Sequence, residues 1–279
     1  MTTRRTLYGL LTVLGLARRG FFIPYRGAGE LARPGRLAPY AALAARLAAA
    51  EQAFSAHLDA IEEHALALES LSSELPPAPR WTQDWFPRLD AAAAYAMVRR
   101  LRPRRIVEIG SGHSTRFLAR AVADARLATR ITAIDPQPRA SLAGLGVELV
   151  RKPVQEAGDA PFAALAAGDF LVVDSSHVLM PGTDVDFIVN RLLPGLPAGT
   201  LVHFHDIFLP ADYPASWAWR GYNEQLAVAA LVASGGYAVE FASAYLAARR
   251  PEWLGRGVLG RLPRLTGAFE SSLWLRKLV

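Results

Sequence analysis

The sequence predicts an α/β protein built on a Rossmann-like, doubly wound sheet of seven mostly parallel strands. Short runs rich in Val, Ile and Leu alternate with amphipathic segments from residue 81 onward, as they do when helices connect parallel strands. The first run ends in a glycine turn at residues 110–112, and a helical segment follows directly. The last two runs have no predicted helix between them, so we expect an antiparallel last strand. An N-terminal helical extension precedes the sheet.

Seven strands and four helices follow from these patterns. The apolar runs place the strands at residues 105–110, 130–135, 147–152, 169–174, 200–206, 237–243 and 271–277. The helical periodicity places the helices at residues 91–102, 114–125, 183–193 and 223–234. Ser114 or Thr115 is expected to cap the second of these helices.

The region before the sheet predicts one long helix. Residues 36–74 are rich in Ala, Leu and Glu, and their apolar side chains recur at intervals of three, four and seven. Such a helix would pack against a partner helix or a second subunit, so a homodimer through residues 36–74 is expected. The sequence ELPPAPR at 74–80 breaks the pattern. The predicted organisation is therefore a basic segment (1–35), a long helix with its linker (36–79) and the α/β domain (80–279).

Composition and charge exclude several classes of protein and of binding site. Of the 279 residues, 52% are hydrophobic and 20% are charged, which is typical of a folded chain with a substantial core. The lack of cysteine excludes disulfides and thiolate metal sites. Residues 1–29 carry five arginines and no acid, and residues 244–279 carry seven basic and two acidic residues. Because the net charge is only +6, the body between these ends is acidic, which argues against nucleic acid as a partner.

The first 26 residues form a basic amphipathic segment. An apolar stretch at 6–17 lies between the pairs Arg4-Arg5 and Arg18-Arg19 and is too short to cross a bilayer, which takes about 20 residues. Four leucines share one face of the predicted helix: Leu7, Leu10, Leu11 and Leu14. Three interpretations stay open, namely a helix packed on the protein's own surface, peripheral contact with an anionic membrane, and a secretory signal. The expected location is the cytoplasm, with membrane association through residues 1–26.

The glycine turn and the end of the second strand favour a nucleotide-like ligand. Glycine lets a ligand approach the backbone, and the start of the following helix favours anionic groups. Ligands of doubly wound sheets lie beyond the carboxyl ends of the strands. Asp135 ends the second predicted strand, where its carboxylate can accept both hydroxyls of a ribose.

Four motifs, in this order, resemble the class I S-adenosylmethionine (SAM)-dependent methyltransferases: VEIGSGHST, AID, DFLVVDSSH and LPAGTLVHFHDIF. The resemblance covers residues 80–279 and is nearest to a bacterial branch with Asp-x-x-His after the fourth strand and His-Asp after the fifth. Ser114 stands where many members have a third glycine. The resemblance implies SAM as cofactor, with Glu108 at its amino end, Gly110, Ser111 and Gly112 beneath its methionine moiety, Asp135 on its ribose and Gln155 near its adenine.

Polar side chains at the ends of the fourth and fifth strands predict the catalytic site. Asp174 and His177 follow the fourth strand, and His205 and Asp206 end the fifth. A neutral histidine suits the removal of a proton from a hydroxyl acceptor. In a second interpretation, Asp174, His205 and Asp206 hold a divalent metal that acidifies the hydroxyl. Histidine stands where the metal-dependent relatives have an acid, and Mg²⁺ prefers oxygen ligands. In a third interpretation the cluster is structural.

The predicted function is a SAM-dependent methyltransferase, O-directed, acting on a small-molecule or glycan acceptor. Aromatic residues in 80–90 and 210–225 would form either a lid over the acceptor or a packing seam toward the N-terminal helices. Two alternatives belong to other classes. One is a non-catalytic interaction module that works through the 36–74 helix, and the other is a metal-dependent hydrolase that uses Asp174, His203, His205 and Asp206.

Overall fold

A seven-stranded sheet organises the computed structural model, which describes residues 2–32, 35–71 and 75–279. The order across the sheet is β3-β2-β1-β4-β5-β7-β6. Strands β1 to β5 are parallel, and β7 is antiparallel to both of its neighbours. The strands are β1 (Arg105–Ile109), β2 (Arg130–Ile134), β3 (Glu148–Val150), β4 (Phe170–Val173), β5 (Leu201–Phe204), β6 (Tyr237–Ala242) and β7 (Leu273–Lys277). All seven predicted strands and the antiparallel end of the sheet are confirmed.

Helices cover the sheet and extend the chain at its N-terminus. Four short turns lie between them, a π-helical one at Ile188–Leu192 and 3₁₀ turns at Ala28–Glu30, Val154–Glu156 and Ala215–Trp217. The helices are α1 (Thr2–Val13), α2 (Ala41–Ala49), α3 (Glu51–Glu62), α4 (Ala65–Glu69), α5 (Arg88–Leu101), α6 (His113–Asp124), α7 (Ala160–Ala163), α8 (Asp184–Phe187), α9 (Leu193–Gly195), α10 (Glu224–Ser234), α11 (Ser243–Arg249), α12 (Pro251–Leu254) and α13 (Gly257–Arg261). In the part of the chain that the structure describes, no helix is long and apolar enough to cross a membrane.

The register of the sheet brings the ends of four parallel strands to one edge. At each of these four strand ends, the backbone N–H of the next residue adds one more inter-strand hydrogen bond. Gly110 N donates to Ile134 O (3.0 Å) and Asp135 N to Val150 O (3.0 Å). Asp174 N donates to Ile109 O (2.9 Å) and His205 N to Val173 O (2.9 Å). The residues singled out after β1, β2, β4 and β5 therefore share one edge of the sheet.

The single long helix predicted at 36–74 is wrong. The region forms three consecutive helices, α2 to α4, which are separated at Ala50 and at residues 63–64; residues 72–74 lie outside the described ranges. Ala50 leaves the helical geometry (φ −92°, ψ 1°) and ends α2. The apolar side chains nevertheless recur as predicted, because each helix buries one stripe in the core of the protein.

That core already covers the surface on which the homodimer prediction rested. Leu47, Phe54 and Ile61 are buried and belong to the same hydrophobic core as the strands. The ring of Phe54 meets that of Phe241 in β6 edge-on, with centroids 6.0 Å apart. Residues 41–71 therefore pack on the α/β domain of their own chain. The homodimer stays a prediction, and these buried side chains do not support it.

The segment between β6 and β7 contains helices that the sequence analysis did not predict. Helices α11 to α13 occupy it, and buried Leu246, Leu254 and Leu259 attach them to the core. The buried guanidinium of Arg88 fixes the far end, because its Nε lies 3.0 Å from Glu270 Oε1 and its Nη1 donates to Leu259 O (2.6 Å). These three helices have only four to seven residues, which is too short to show a clear apolar repeat. The Gly, Pro and Arg residues around them are more typical of a loop.

Candidate active site

The glycine turn after β1 packs directly on the end of β4. Gly110 has φ +82°, which favours glycine, and a Cβ placed on it would lie 2.0 Å from Asp174 O. Glycine is thus required at this position for two reasons: the positive φ, and the lack of room for a Cβ beside Asp174 O. The contact sets the turn and the first polar residue after β4 against each other at the edge of the sheet.

Glu108 is buried beneath this turn rather than exposed in it. Ser114 Oγ donates to Glu108 Oε1 and Thr115 Oγ1 donates to Glu108 Oε2, both at 2.5 Å. Burial raises the pKa of Glu108 to about 8, although these two hydrogen bonds oppose the shift. Neither hydroxyl residue is itself the N-cap of α6, which is Gly112, but Thr115 takes part in the cap because its Oγ1 accepts a hydrogen bond from Gly112 N (2.9 Å).

Asp135 lies beside the glycine turn and faces open space. Ser111 Oγ donates to its Oδ2 (2.8 Å) and Gln137 N to its Oδ1 (2.7 Å). Each oxygen keeps a further lone pair for a ligand. Gln155 lies across the same space, where its Nε2 donates to Gly182 O (3.1 Å).

One cavity of about 840 Å³ joins these groups to the predicted catalytic cluster. Eight of the ten predicted site residues line it; Glu108 and Gly112 do not. Those that line it are Gly110, Ser111, Asp135, Gln155, Asp174, His177, His205 and Asp206. A pocket that brings together the ends of several parallel strands is the expected position of a ligand in such a sheet.

His177 lies among three carboxylates. Its Nδ1 is 2.8 Å from Glu224 Oε2, and its Nε2 is 3.3 Å from Asp174 Oδ1 and 3.5 Å from Asp206 Oδ2. Burial lowers the pKa of His177, but the carboxylates outweigh this effect and hold it well above 6.5. The imidazole is therefore a cation at neutral pH.

His205 has a similar environment one strand away. Its Nε2 lies 3.3 Å from Asp90 Oδ2, and its Nδ1 lies 3.4 Å from Asp206 Oδ1 and 3.6 Å from Asp174 Oδ1. Burial lowers its pKa, and the charges of Asp206 and the other carboxylates raise it well above 6.5. The two imidazoliums in turn hold the pKa of half-buried Asp174 well below its usual range, against the effect of burial.

Two of the predicted catalytic residues adopt a backbone conformation that is uncommon outside glycine. His177 has φ 60° and Asp206 has φ 57°, and both side chains are buried. Asp and His tolerate this region better than most residues. Strained positions of this kind concentrate at functional sites, where the surrounding contacts hold them.

The electrostatics of the cluster do not favour a metal ion. Both ring nitrogens of His205 face carboxylate oxygens, which raise the pKa of the ring, and a nitrogen that carries a proton offers no lone pair to a metal. Among residues 2–32, 35–71 and 75–279, no group of three or more His, Asp or Glu side chains is arranged to hold one. The metal set predicted at Asp174, His205 and Asp206 finds no support in this arrangement.

His203 is a core residue. Its ring packs against that of Trp274 at a tilt of 45°, with centroids 4.6 Å apart, and its Nε2 lies 2.8 Å from Ser272 Oγ. Burial lowers its pKa to about 3, so it is neutral. It does not line the cavity, which removes it from the ligand set proposed for a hydrolase.

The aromatic segments divide between a rim and the core. Trp85, Trp217 and Tyr222 line the cavity, whereas Trp81 and Phe86 are buried in the core. The guanidinium of Arg220 lies 3.9 Å from the centre of the Trp217 ring and donates to Tyr222 OH (3.1 Å). The packing interpretation therefore describes Trp81 and Phe86, and a lid formed by the residues that line the cavity stays a prediction.

Sequence reasoning missed four groups that shape this site, and all four come from outside the motifs. Asp90 belongs to α5 and Glu224 to α10, and Arg220 and Ser271 lie in loops. Ser271 Oγ donates to Asp206 Oδ1 (3.2 Å), and Ser271 N donates to Asp90 Oδ2 (2.9 Å). No spacing links these positions. Glu224 alone carried a signal, as an acid at the start of a helix that follows an aromatic segment.

Comparisons with solved structures find distant similarities. A methyltransferase of Podospora anserina with S-adenosylhomocysteine (SAH) bound is 18% identical, with 93% of this chain and 100% of that chain covered and a TM-score of 0.44. The O-methyltransferase TomG from Streptomyces achromogenes, involved in tomaymycin synthesis and solved with SAM, is 16% identical, with 80% of this chain and 90% of that chain covered and a TM-score of 0.44. Similarities this distant bear on neither the activity nor the ligand of this chain.

The comparison with curated proteins gives no match. A family model matches residues 107–207, and its description is a methyltransferase domain. The matched residues run from within β1 to just beyond β5, so they include the glycine turn, Asp135 and the cluster after β4 and β5. The enzyme prediction is confirmed at this level: residues 107–207 match a methyltransferase domain, and they lie on the Rossmann-like sheet that the sequence predicts.

Proposed function

We propose that the protein is a SAM-dependent methyltransferase that methylates a hydroxyl group of a small-molecule or glycan acceptor. One observation carries the proposal: a single cavity connects the Gly110–Ser111 turn and Asp135 with the imidazole–carboxylate cluster. A cofactor held at one end would present its methyl group to an acceptor at the other. We include in this proposal that the protein belongs to the bacterial branch that has Asp-x-x-His after the fourth strand and His-Asp after the fifth.

The residues at the sheet edge fit SAM. Asp135 would accept the ribose hydroxyls through the free lone pairs of its carboxylate, and Gln155 would lie near the adenine. The turn at Gly110 and Ser111 would lie beneath the methionine moiety. Because Glu108 does not line the cavity, it would act through the turn above it. Asp174, ionised and about a third exposed, is the carboxylate that faces a bound cation.

The cluster supplies alignment and a proton acceptor. When bound, SAM supplies a methyl group on a sulfonium, and its transfer to oxygen is an in-line displacement that depends on alignment. The acceptor hydroxyl must also lose its proton. His205 begins as an imidazolium, but its pKa falls when positive charge binds beside Asp174 and offsets that carboxylate. His205 would then take the proton, while Asp90 and Asp206 hold its ring.

The two other classes have less support. A hydrolase would need metal ligands that the paired imidazoles do not offer. An interaction module working through the 36–74 region would need an exposed apolar face, and that face is buried in the core.

Calorimetry with SAH tests the cofactor assignment. The parent protein should bind SAH, and Asp135→Ala should weaken binding about tenfold to a hundredfold by removing the ribose acceptor. Asp159→Ala is the matched control, because Asp159 is exposed and does not line the cavity. Absence of binding to the parent would defeat the assignment, and unchanged binding in Asp135→Ala would remove that residue from the site.

A further inference from the structure

The N-terminal segment, residues 3–26, exposes an apolar and basic surface. None of its side chains is buried. Leu10, Leu14 and Phe22 are 54%, 66% and 65% exposed, although apolar side chains of this size are usually covered. The exposed leucines of α1 lie on the face that the sequence analysis identified, and residues 21–23 extend the apolar surface beyond the helix.

The charge of this segment has one sign. Its five arginines are all exposed, and it contains no acid. Arg19 N donates to Thr12 Oγ1 (3.0 Å), so the second arginine pair is held beside α1. Arg4 Nε donates to Tyr8 OH (3.0 Å) on the same helix. The segment thus presents cations and apolar side chains together, with no internal carboxylate to neutralise them.

The same segment forms part of the mouth of the cavity. Gly20 and Phe21 line it. Two further aromatic side chains from other segments, Trp85 and Phe269, also line it and are likewise exposed. Phe21, Trp85 and Phe269 are 46%, 52% and 37% exposed. Exposed Trp and Phe side chains are typical of protein surfaces that lie at the boundary of a lipid bilayer.

We propose that residues 3–26 dock on an anionic lipid surface and thereby place the mouth of the cavity at that surface. The arginines would bind the anionic headgroups, each contributing to the affinity, while the leucines and Phe22 enter the acyl boundary. A second copy of the chain is a poorer occupant, because it would bring five more arginines against these five. Resting on the proposed function, this placement gives the site access to hydroxyl-bearing amphiphiles.

Vesicle flotation of the full chain tests the docking. The protein should float with vesicles of phosphatidylglycerol and phosphatidylcholine. With vesicles of phosphatidylcholine alone it should remain in the bottom fraction. The double variant Arg18→Glu/Arg19→Glu should reduce partitioning at least about tenfold. The control Arg130→Glu/Arg151→Glu makes the same charge change at two exposed arginines elsewhere and should float like the parent. Equal binding to both vesicle types, or none to either, would overturn the proposal.

The orientation is tested with a dye, since the chain has no cysteine. The variant Phe21→Cys, labelled with an environment-sensitive fluorophore, should shift to the blue when anionic vesicles are added. The same label at Leu66→Cys, a position 86% exposed on α4, should not shift. A shift at position 66 but not at 21 would overturn the orientation.

A third measurement separates this proposal from the cofactor assignment. Leu10→Asp should abolish flotation and leave SAH calorimetry unchanged, because the side chain is exposed and outside the cavity. Light scattering of the parent without lipid completes the test. An oligomer that Leu10→Asp converts to monomers would show that the apolar face binds another copy, which would overturn membrane docking.

Discussion

His177 Nδ1 lies 2.8 Å from Glu224 Oε2, and both side chains are buried. The contact joins the loop after β4 to the first residue of α10. The backbone repeats the connection, because the N–H groups of Asn223 and Glu224 both donate to His177 O, at 3.0 and 3.2 Å. The left-handed conformation of His177 is therefore fixed from outside its own loop. This contact keeps the imidazole in the cavity beside Asp174.

Removing one partner of this pair should destabilise the protein strongly. Glu224→Ala leaves a buried imidazolium without its nearest carboxylate, so we expect a loss of about 3–5 kcal/mol in the free energy of unfolding. Urea denaturation measures it. Glu252→Ala, at an exposed glutamate of α12, is the control and should change stability by less than about 0.5 kcal/mol. A loss below about 1 kcal/mol in Glu224→Ala would contradict the ion pair.

Stability should decrease as the pH rises from neutral. The folded-state pKa of His177 and of His205 lies above the unfolded value near 6.5. The folded state then binds more protons between the two values, so this stabilisation is complete below pH 6.5 and is lost as the pH passes the folded pKa. Glu108 acts in the same direction between about 4.5 and 8.

Urea unfolding from pH 5 to pH 9 measures this dependence. Glu108→Gln should flatten the slope between about pH 4.5 and 8, since the amide keeps the shape of the side chain but does not titrate. An NMR titration should show His177 and His205 above the ordinary range, and His113 and His203 below it, near 4 and 3. Four histidines titrating together near 6.5 would contradict these environments.

The sheet was predictable because each strand is a short apolar run with a turn signal at its end. Phe170 to Val173 form a continuous apolar run that is buried on both faces, as is typical of a central parallel strand, and Ile106 to Ile109 are equally buried although Glu108 interrupts the run. The break between the helices in residues 36–74 was harder to predict from the sequence. Ala50 is a good helix former that leaves the helical conformation here, so tertiary packing, and not local preference, decided the break.

The site was predictable as far as its residues end strands. Asp135, Asp174 and His205 follow parallel strands, and parallel strands end at one edge. Asp90 and Glu224, which set the protonation of the two histidines, arrive from α5 and α10. Their contacts depend on how helices pack on the sheet, and that information is not local. The sequence therefore predicted neutral histidines where the fold places imidazoliums.

Substitution of Gly110 should disturb the site more than substitution of a comparable glycine. In Gly110→Ala the new Cβ would lie 2.0 Å from Asp174 O, so the turn or the end of β4 must move. Gly144→Ala is the matched control, because Gly144 has the same φ of +82° and open space around its Cβ. The control isolates the conformational cost of about 1–2 kcal/mol. Gly110→Ala should cost about 1–3 kcal/mol more and should weaken SAH binding, as urea denaturation and calorimetry would show. Equal losses in the two variants would contradict the close contact.

The final prediction concerns His205 as the proton acceptor. A panel of phenols, sugars and amphiphiles is first screened for an acceptor. Turnover is then measured as the transfer of labelled methyl groups from SAM to that acceptor. His205→Gln keeps a donor for Asp90 but cannot take up a proton, so turnover should fall about 10²–10⁴-fold while SAH binding stays near that of the parent. His57→Gln makes the same change at a buried histidine that faces Glu240 (3.4 Å) outside the cavity, and should leave turnover unchanged.

The pH profile and a chelator distinguish this mechanism from the metal mechanism. Because the pKa of His205 is raised, turnover of the parent should increase as the pH rises above 6.5. Asp90→Asn removes one of the carboxylates that raise this pKa, so the rising limb should move to lower pH, whereas a merely structural role for Asp90 would lower turnover without moving the limb. A chelator should change neither turnover nor SAH binding, since the carboxylates around His205 favour proton binding at its ring and the described residues include no group of side chains arranged to hold a metal. Loss of turnover with chelator, restored by a divalent cation, would show that turnover needs a metal and would replace the base mechanism.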